Sequence, residues 1–333
     1  MKITRTLSLS TAALIALVAL AGCSSNGSSS SSNGSSAQDS STSQNSTPVQ
    51  ESSAAQDSTP KQDSTGGADK LDTEITVVSR EDGSGTRGAF VELMGIEQKN
   101  EAGEKEDMTR GDAEIINSTN GVMMSVAGNV DAIGYISLGS LNDTVKAVEV
   151  NGVEVNVDNI KSGGYMVARP FNICYQQSKL DGNAAASDFV KYIMSTEGQQ
   201  LIADNGYIAV ESSESYSPSG VTGAISVNGS TSVGPVMEKL AEAYKAFNPD
   251  VAIDVQQTGS GAGITAATEG SCDIGMSSRD LKQEEIDAGL TPLKIADDGI
   301  AVIVNLENPV EDISSDEIMK IYTGEINRWD ELS

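Results

Sequence analysis

The chain has no histidine in 333 residues. Without imidazole, neither a Ser-His-Asp nor a Cys-His nucleophile can be assembled, and the commonest zinc ligand is missing. Positive charge is scarce: 21 Lys and Arg stand against 48 Asp and Glu, for a formal net charge of −27. No basic footprint for nucleic acid exists. Cysteine is limited to three residues. Cys174 and Cys272 lie in the apolar contexts FNICY and SCDIG, which suit two buried thiols at least as well as a disulfide. The long apolar run from Leu7 to Ala21 follows Lys2 and Arg5, and is too short and lopsided for a membrane-spanning helix.

That run ends in Leu20-Ala21-Gly22-Cys23, small residues leading into a cysteine, the pattern of a bacterial lipoprotein signal. Residues 1–22 are therefore expected to be a signal peptide and Cys23 the acylated first residue of the mature chain. From 23 to 70 the composition is dominated by Ser, Asn, Gln, Gly, Thr and Asp. So little apolar surface cannot offset ordering entropy, and the segment reads as a flexible tether.

From about Leu71, short β-branched runs alternate with amphipathic stretches. ITVV (75–78), AIGYI (132–136), KAVEV (146–150), FNICY (171–175), AISV (224–227), VAIDV (251–255), DIGM (273–276) and GIAVIVN (299–305) predict strands. Helices are expected near 87–95, from about Ala185 to Asn205, and from Pro235 to Phe247. The alternation predicts an α/β fold with mainly parallel sheets. The polar stretch ESSESYSPSGVTG (211–223) lacks periodicity and divides the folded part into two blocks.

Each block opens on the same device: ITVV-SREDGSGT-RGAFVELM and AISV-NGSTSVG-PVMEKLAEAY. QTGSGAGITAATEG (257–270) supplies a third. A loop of small residues entering a helix gathers backbone N–H groups without Cβ obstruction, and the helix N-terminus adds positive partial charge. Such loops favour anions, and in open α/β sheets ligands bind at the carboxyl ends of the strands.

Which anion chemistry is less general. Gly83 to Gly88 and Gly229 to Gly234 have the G-x-x-x-x-G spacing, but Ala89 and Pro235 stand where a P-loop needs lysine. Ser84 has no histidine and no Ser-x-x-Lys arrangement to activate it, and no carboxylate spacing marks a metal cluster. The chain is expected not to be an enzyme and to need no cofactor. Capture of a tetrahedral oxyanion remains, with Arg80 offering a planar charged fork and Ser84, Gly85 and Thr86 neutral donors. Asp82 could hold that guanidinium in orientation.

SREDGSGTRGAF, NGSTSVGP, QTGSGAG, DIGMSSRDL, GIAVIVN and IYTGEINRWDEL together resemble the phosphate-binding proteins of ABC transporters, the PstS type. The resemblance runs from about residue 73 to the end, with its two halves in circularly permuted order. It implies a two-lobed periplasmic-binding-protein type II fold with a hinge and an interlobe ligand cleft. One lobe would be 71–168 with 307–333 and the other 169–306, the linker 211–223 joining the family's usual termini.

The resemblance further implies that Arg80, Ser84, Gly85, Thr86, Thr231, Ser232, Ser260 and Ser278 contact inorganic phosphate. At Ser278 some relatives carry an aspartate that accepts the proton of hydrogen phosphate; Asp82 or Asp298 would have to substitute, or Arg279 would turn to the ligand. The implied partners are a permease and its ATPase, and the implied location is the outer face of the cell membrane, tethered through Cys23. Another tetrahedral oxyanion, or a surface lipoprotein that senses phosphate without transporting it, is the alternative.

Overall fold

The computed structural model describes residues 71–100 and 103–333. The expected signal at 1–22, Cys23 and the expected tether at 23–70 lie outside the described residues.

The principal elements, in chain order, begin with β1 (Thr76–Arg80), α1 (Gly85–Leu93), β2 (Glu114–Ile116), α2 (Thr119–Ala127), β3 (Ala132–Ser137) and β4 (Ala168–Gln176). They continue with α3 (Ala184–Ile193), α4 (Thr196–Asp204), β5 (Gly223–Gly229), α5 (Gly234–Phe247) and β6 (Val251–Gln257). The last are α6 (Ser260–Glu269), β7 (Ile274–Ser277), β8 (Leu290–Val304) and α7 (Ser315–Thr323). Strand order is β6-β5-β7-β4-β8-β3-β1-β2. The trio β6-β5-β7 is parallel, as is β3-β1-β2, while β4 and β8 run antiparallel to their neighbours. The α/β class is as expected, but the sheet is mixed and not mainly parallel, because the long β4 and β8 run antiparallel through its middle.

Two large apolar cores flank this path, with a smaller third cluster around Cys174, Ile264 and Cys272. Val77, Val78, Ile133, Ile136 and Trp329 belong to the first; Phe171, Ile225, Val227, Leu240 and Tyr244 belong to the second. Burial of each such side chain contributes about 1.5–3 kcal/mol. Along α5, Val236, Leu240 and Tyr244 share one face and are fully buried, while Phe247 at the helix end is half exposed.

Strand β8 is twice as long as the run GIAVIVN. Leu290 to Gly299 pairs with β4, and Ile300 to Val304 with β3 and the first core. Near Gly299 the strand thus passes from the second apolar core to the first. In the preceding TPLKIADD, partly buried Thr291 and Leu293 alternate with exposed Pro292 and Lys294, and the alternation then breaks at a bulge with Ile295 and Ala296 both buried; Pro292 and the charges obscure the strand in sequence. The helix expected from Ala185 to Asn205 is two helices. Ser195 caps the second by accepting from Gly198 N at 3.1 Å, and a Cβ on Gly198 would lie 2.1 Å from Tyr192 O.

The two ends of the folded part meet. Ile75 N donates to Asn327 O at 2.8 Å, Trp329 N donates to Thr73 O at 3.1 Å, and Glu74 bridges Arg328. The 211–223 stretch is fastened through Tyr216, whose hydroxyl donates to the buried Asp188 at 2.6 Å. Asp188 also accepts from Tyr244 at 2.8 Å. Cys174 and Cys272 are buried free thiols, with burial pushing them up to about 12 and about 11.

Candidate functional site

Strand β1 delivers Arg80 at its carboxyl end, and the turn after it leads into α1, whose first residues are Gly85 and Thr86. Ser84 is the N-cap, accepting from Arg87 N at 3.3 Å. The turn at 230–233 after β5 leads into α5, with the Ser230 hydroxyl accepting from Ser232 N and Val233 N at 3.2 and 3.3 Å. Strand β6 is followed by α6, which begins at Ser260, and β7 by Ser278.

These elements converge. Arg80 is 2% exposed, and Ser84, Thr86, Thr231, Ser232, Ser260 and Ser278 are all buried. Contacts run between the two lobes. Arg80 Nη2 donates to Thr231 Oγ1 at 3.0 Å, and the Thr86 and Ser232 hydroxyls lie 3.0 Å apart. Gly261 N donates to Gly83 O at 2.9 Å. Gly85 faces Ser260 and Ser278 so closely that a Cβ there would sit 2.7 Å from both hydroxyl oxygens. Only glycine permits that approach. Ser260 also accepts from Ser278 N at 3.1 Å. Seven of the eight residues named from the sequence are therefore brought together by contacts, and Ser84, buried next to Gly85, has its hydroxyl engaged as the cap of α1.

The supporting residues are arranged differently. Asp82 does not hold Arg80: its side chain is 99% exposed and pairs with Arg87 at 3.1 Å. Glu81 takes that place, accepting from Arg80 Nε at 2.8 Å and Nη2 at 2.9 Å. Strand β1 ends at Arg80, so the next residue turns back along the guanidinium while Asp82 points outward. Arg279 turns away to a two-pronged pair with Glu285, at 2.9 and 2.7 Å. Asp298 lies at the crossing, bonded to Arg169 Nη2 at 3.1 Å with both side chains buried. It too is committed elsewhere, its second oxygen accepting from Gly139 N at 3.4 Å.

Thr119 was not apparent in the sequence. Its hydroxyl lies 3.1 Å from both Thr231 Oγ1 and Ser232 Oγ, and accepts from Arg80 Nη1 at 3.4 Å. Its backbone N–H, at the start of α2, points to Thr231 Oγ1 at 3.3 Å. In NSTNGV the neighbouring Ser118 is the ordinary cap, accepting from Gly121 N, and so masks the threonine. Thr119→Val keeps the shape and removes one buried hydroxyl. Oxyanion affinity is expected to fall about tenfold, the worth of one such hydrogen bond, whereas Thr119→Ser keeps it; equal affinities in calorimetry would exclude Thr119.

In chemical terms the site holds one guanidinium, several hydroxyls and the N-termini of α1 and α6, all removed from water. It has no nucleophile with a base beside it, and among the described residues no group of His, Cys, Asp or Glu could hold a metal. Such a set binds and orients a small anion.

That is the description of a two-lobed solute receptor. A model of the PBP superfamily domain matches residues 35–197 and 214–333, so the chain belongs to that superfamily. It is 46% identical over 259 residues to phosphate-binding protein PstS 2 of Streptococcus agalactiae, covering 78% of this chain and 88% of the relative. It is 48% identical over 261 residues to PstS 2 of Streptococcus pneumoniae, covering 78% and 87%. A crystal structure of a phosphate ABC transporter phosphate-binding protein from Streptococcus pneumoniae superposes with a TM-score of 0.62 at 47% identity, covering 78% of this chain and all of that one. Within the superfamily, the chain is a PstS-type protein. With PstS of Bacillus subtilis it shares 40% identity over 113 residues, 33% of this chain and 38% of the relative.

Proposed function

We propose that this protein captures inorganic phosphate between its lobes outside the cytoplasmic membrane and delivers it to the permease and ATPase of an ABC transporter, held at the surface by a lipid on Cys23. One observation carries the reading: Arg80 and the hydroxyl loops of both lobes meet in a single buried cluster. The contacts assigned to phosphate are Arg80, Ser84, Gly85, Thr86, Thr231, Ser232, Ser260 and Ser278, with Thr119 added. The high similarity to proteins named for phosphate binding supports the choice of ligand. The chain's net charge does not oppose it, since exposed charges are screened over about 8 Å at physiological salt, while enclosed donors act at contact.

The permuted order is part of this proposal. The folded ends meet at Thr73 and Trp329, as a former internal connection would. Similarity to the two PstS 2 proteins extends over 259 and 261 residues, whereas that to Bacillus subtilis PstS extends over 113. A shorter match of that kind is what a change of order between the relatives produces.

Titration calorimetry of the full chain in detergent should show one phosphate per chain. Equal affinity for sulfate would leave an oxyanion receptor of wider choice, and normal phosphate uptake after deletion would favour a sensing role. Mass spectrometry finding Cys23 unmodified, or the leader intact, would remove the lipid anchor.

A further inference from the structure

We infer that the buried polar groups at the lobe crossing form an opening spring. They lack partners while the lobes are shut, so the hinge itself weakens phosphate binding and speeds release. The inference rests on the phosphate reading above and concerns residues outside the phosphate contacts.

The chain passes between the cores twice here, from Val167 of the first to Phe171 of the second, and from Ala296 of the second to Ile300 of the first. Arg169 and Asp298 face each other across these two strands in register. Two elements close over the pair from opposite sides. From the first lobe comes the turn Leu138–Ser140 after β3, with Gly139 N donating to Asp298 Oδ1 at 3.4 Å. From the second comes Tyr207, just after α4 and buried in the second core. Its ring lies so tightly on the turn that a Cβ on Gly139 would be 2.1 Å from Tyr207 Cζ and 2.5 Å from Oη.

Ser137 Oγ, Ser140 Oγ, Tyr207 Oη and the Arg169 Nε and Nη1 are all buried, and none has a hydrogen-bond partner among the described residues. The Ser137 hydroxyl lies beside both Tyr207 and Asp298, yet outside the geometry of a hydrogen bond. Buried polar atoms without partners destabilise the conformation that contains them, and native structures hold few of them. Here they sit on elements of opposite lobes that cover one another. Parting the lobes uncovers them to water and relieves the penalty. A ligand held only by the shut form must also bring about closing, so the hinge penalty enters its apparent affinity directly. Removing one orphaned hydroxyl while keeping the shape should therefore favour the shut form.

The test is calorimetry and stopped-flow release with sodium phosphate on the full chain in detergent. Tyr207→Phe is expected to tighten phosphate binding about tenfold, the scale of one unpartnered buried group, mainly through slower release. Ser137→Ala should act in the same direction. Tyr165→Phe is the control: its buried hydroxyl is satisfied, donating to Ile300 O at 2.7 Å, and its loss should lower the melting temperature with phosphate affinity unchanged. Unchanged or weaker phosphate binding in Tyr207→Phe and Ser137→Ala overturns the proposal, as does equal tightening in Tyr165→Phe. Should Tyr207→Phe fail to fold, Ser137→Ala decides alone. If the unaltered chain binds no phosphate, the wider functional reading falls first and this one with it.

Discussion

Arg80→Ala is expected to lower phosphate affinity by more than a thousandfold while leaving the far-ultraviolet circular dichroism unchanged. Arg80 is the sole cation in direct contact with the cluster hydroxyls among the described residues, and it is 2% exposed. Truncating one partner of a buried, hydrogen-bonded charge pair costs about 2–5 kcal/mol, which at the upper end is more than a thousandfold in affinity. The variant also leaves Glu81 unneutralised at the rim, where it repels the incoming anion. Both effects act in the same direction, hence the upper end. The fold should survive because the Glu81 side chain is 22% exposed and can reach water, and because β1 keeps its backbone ladders to β2 and β3. Arg80→Lys should recover part of the affinity, as a point charge without the planar fork. Phosphate binding within tenfold of the unaltered chain would mean that Arg80 is not a ligand.

The legible part of this site was its local chemistry. Glycine and hydroxyl residues placed between a β-branched run and a helix leave few conformations other than a strand, an N–H-rich turn and a helix start. That is why Ser84, Gly85 and Thr86 could be named from the residues, whereas Thr231, Ser232, Ser260 and Ser278 came from the family resemblance. What was hidden depends on distance in sequence. Thr119 looks like a second capping residue until Thr231, 112 positions away, is brought against it. The choice between Glu81 and Asp82 depends on where β1 stops, a boundary that periodicity fixes only within a residue or two. Cap geometry likewise decided the break at Ser195, because a polar residue inside an apolar helical pattern is tolerated as readily as it terminates one. The first half of β8 was lost for a different reason. Lys294, Asp297 and Asp298 disguise a strand whose polar groups are answered by partners elsewhere: Lys294 and Asp297 by each other, and Asp298 by Arg169.

That last pair yields the second large effect. Arg169→Met is expected to destabilise the protein by about 3–5 kcal/mol at pH 8, because it strands Asp298 as a buried, uncompensated carboxylate. For a folded part of this size the melting temperature should fall by roughly 6–20 °C. Methionine keeps the apolar stem, although the stacking of the guanidinium 5.4 Å over Phe171 is lost. The pH dependence separates charge from packing. Burial pushes the Asp298 carboxyl up to about 6, with Arg169 opposing the rise. A folded value above the ordinary one near ~4 means that this group's contribution is present in full below about pH 4 and is lost as pH rises through about 6. Removing Arg169 takes away the group that opposes the rise, so the folded value climbs further and the loss extends to higher pH. At pH 5 Asp298 in the variant is already protonated, and its penalty should shrink to the packing that methionine fails to replace. Thermal melts of both chains at pH 5 and pH 8 decide the matter: a penalty as large at pH 5 as at pH 8 would show that Arg169 holds the lobe crossing by packing, and that its charge contributes nothing there.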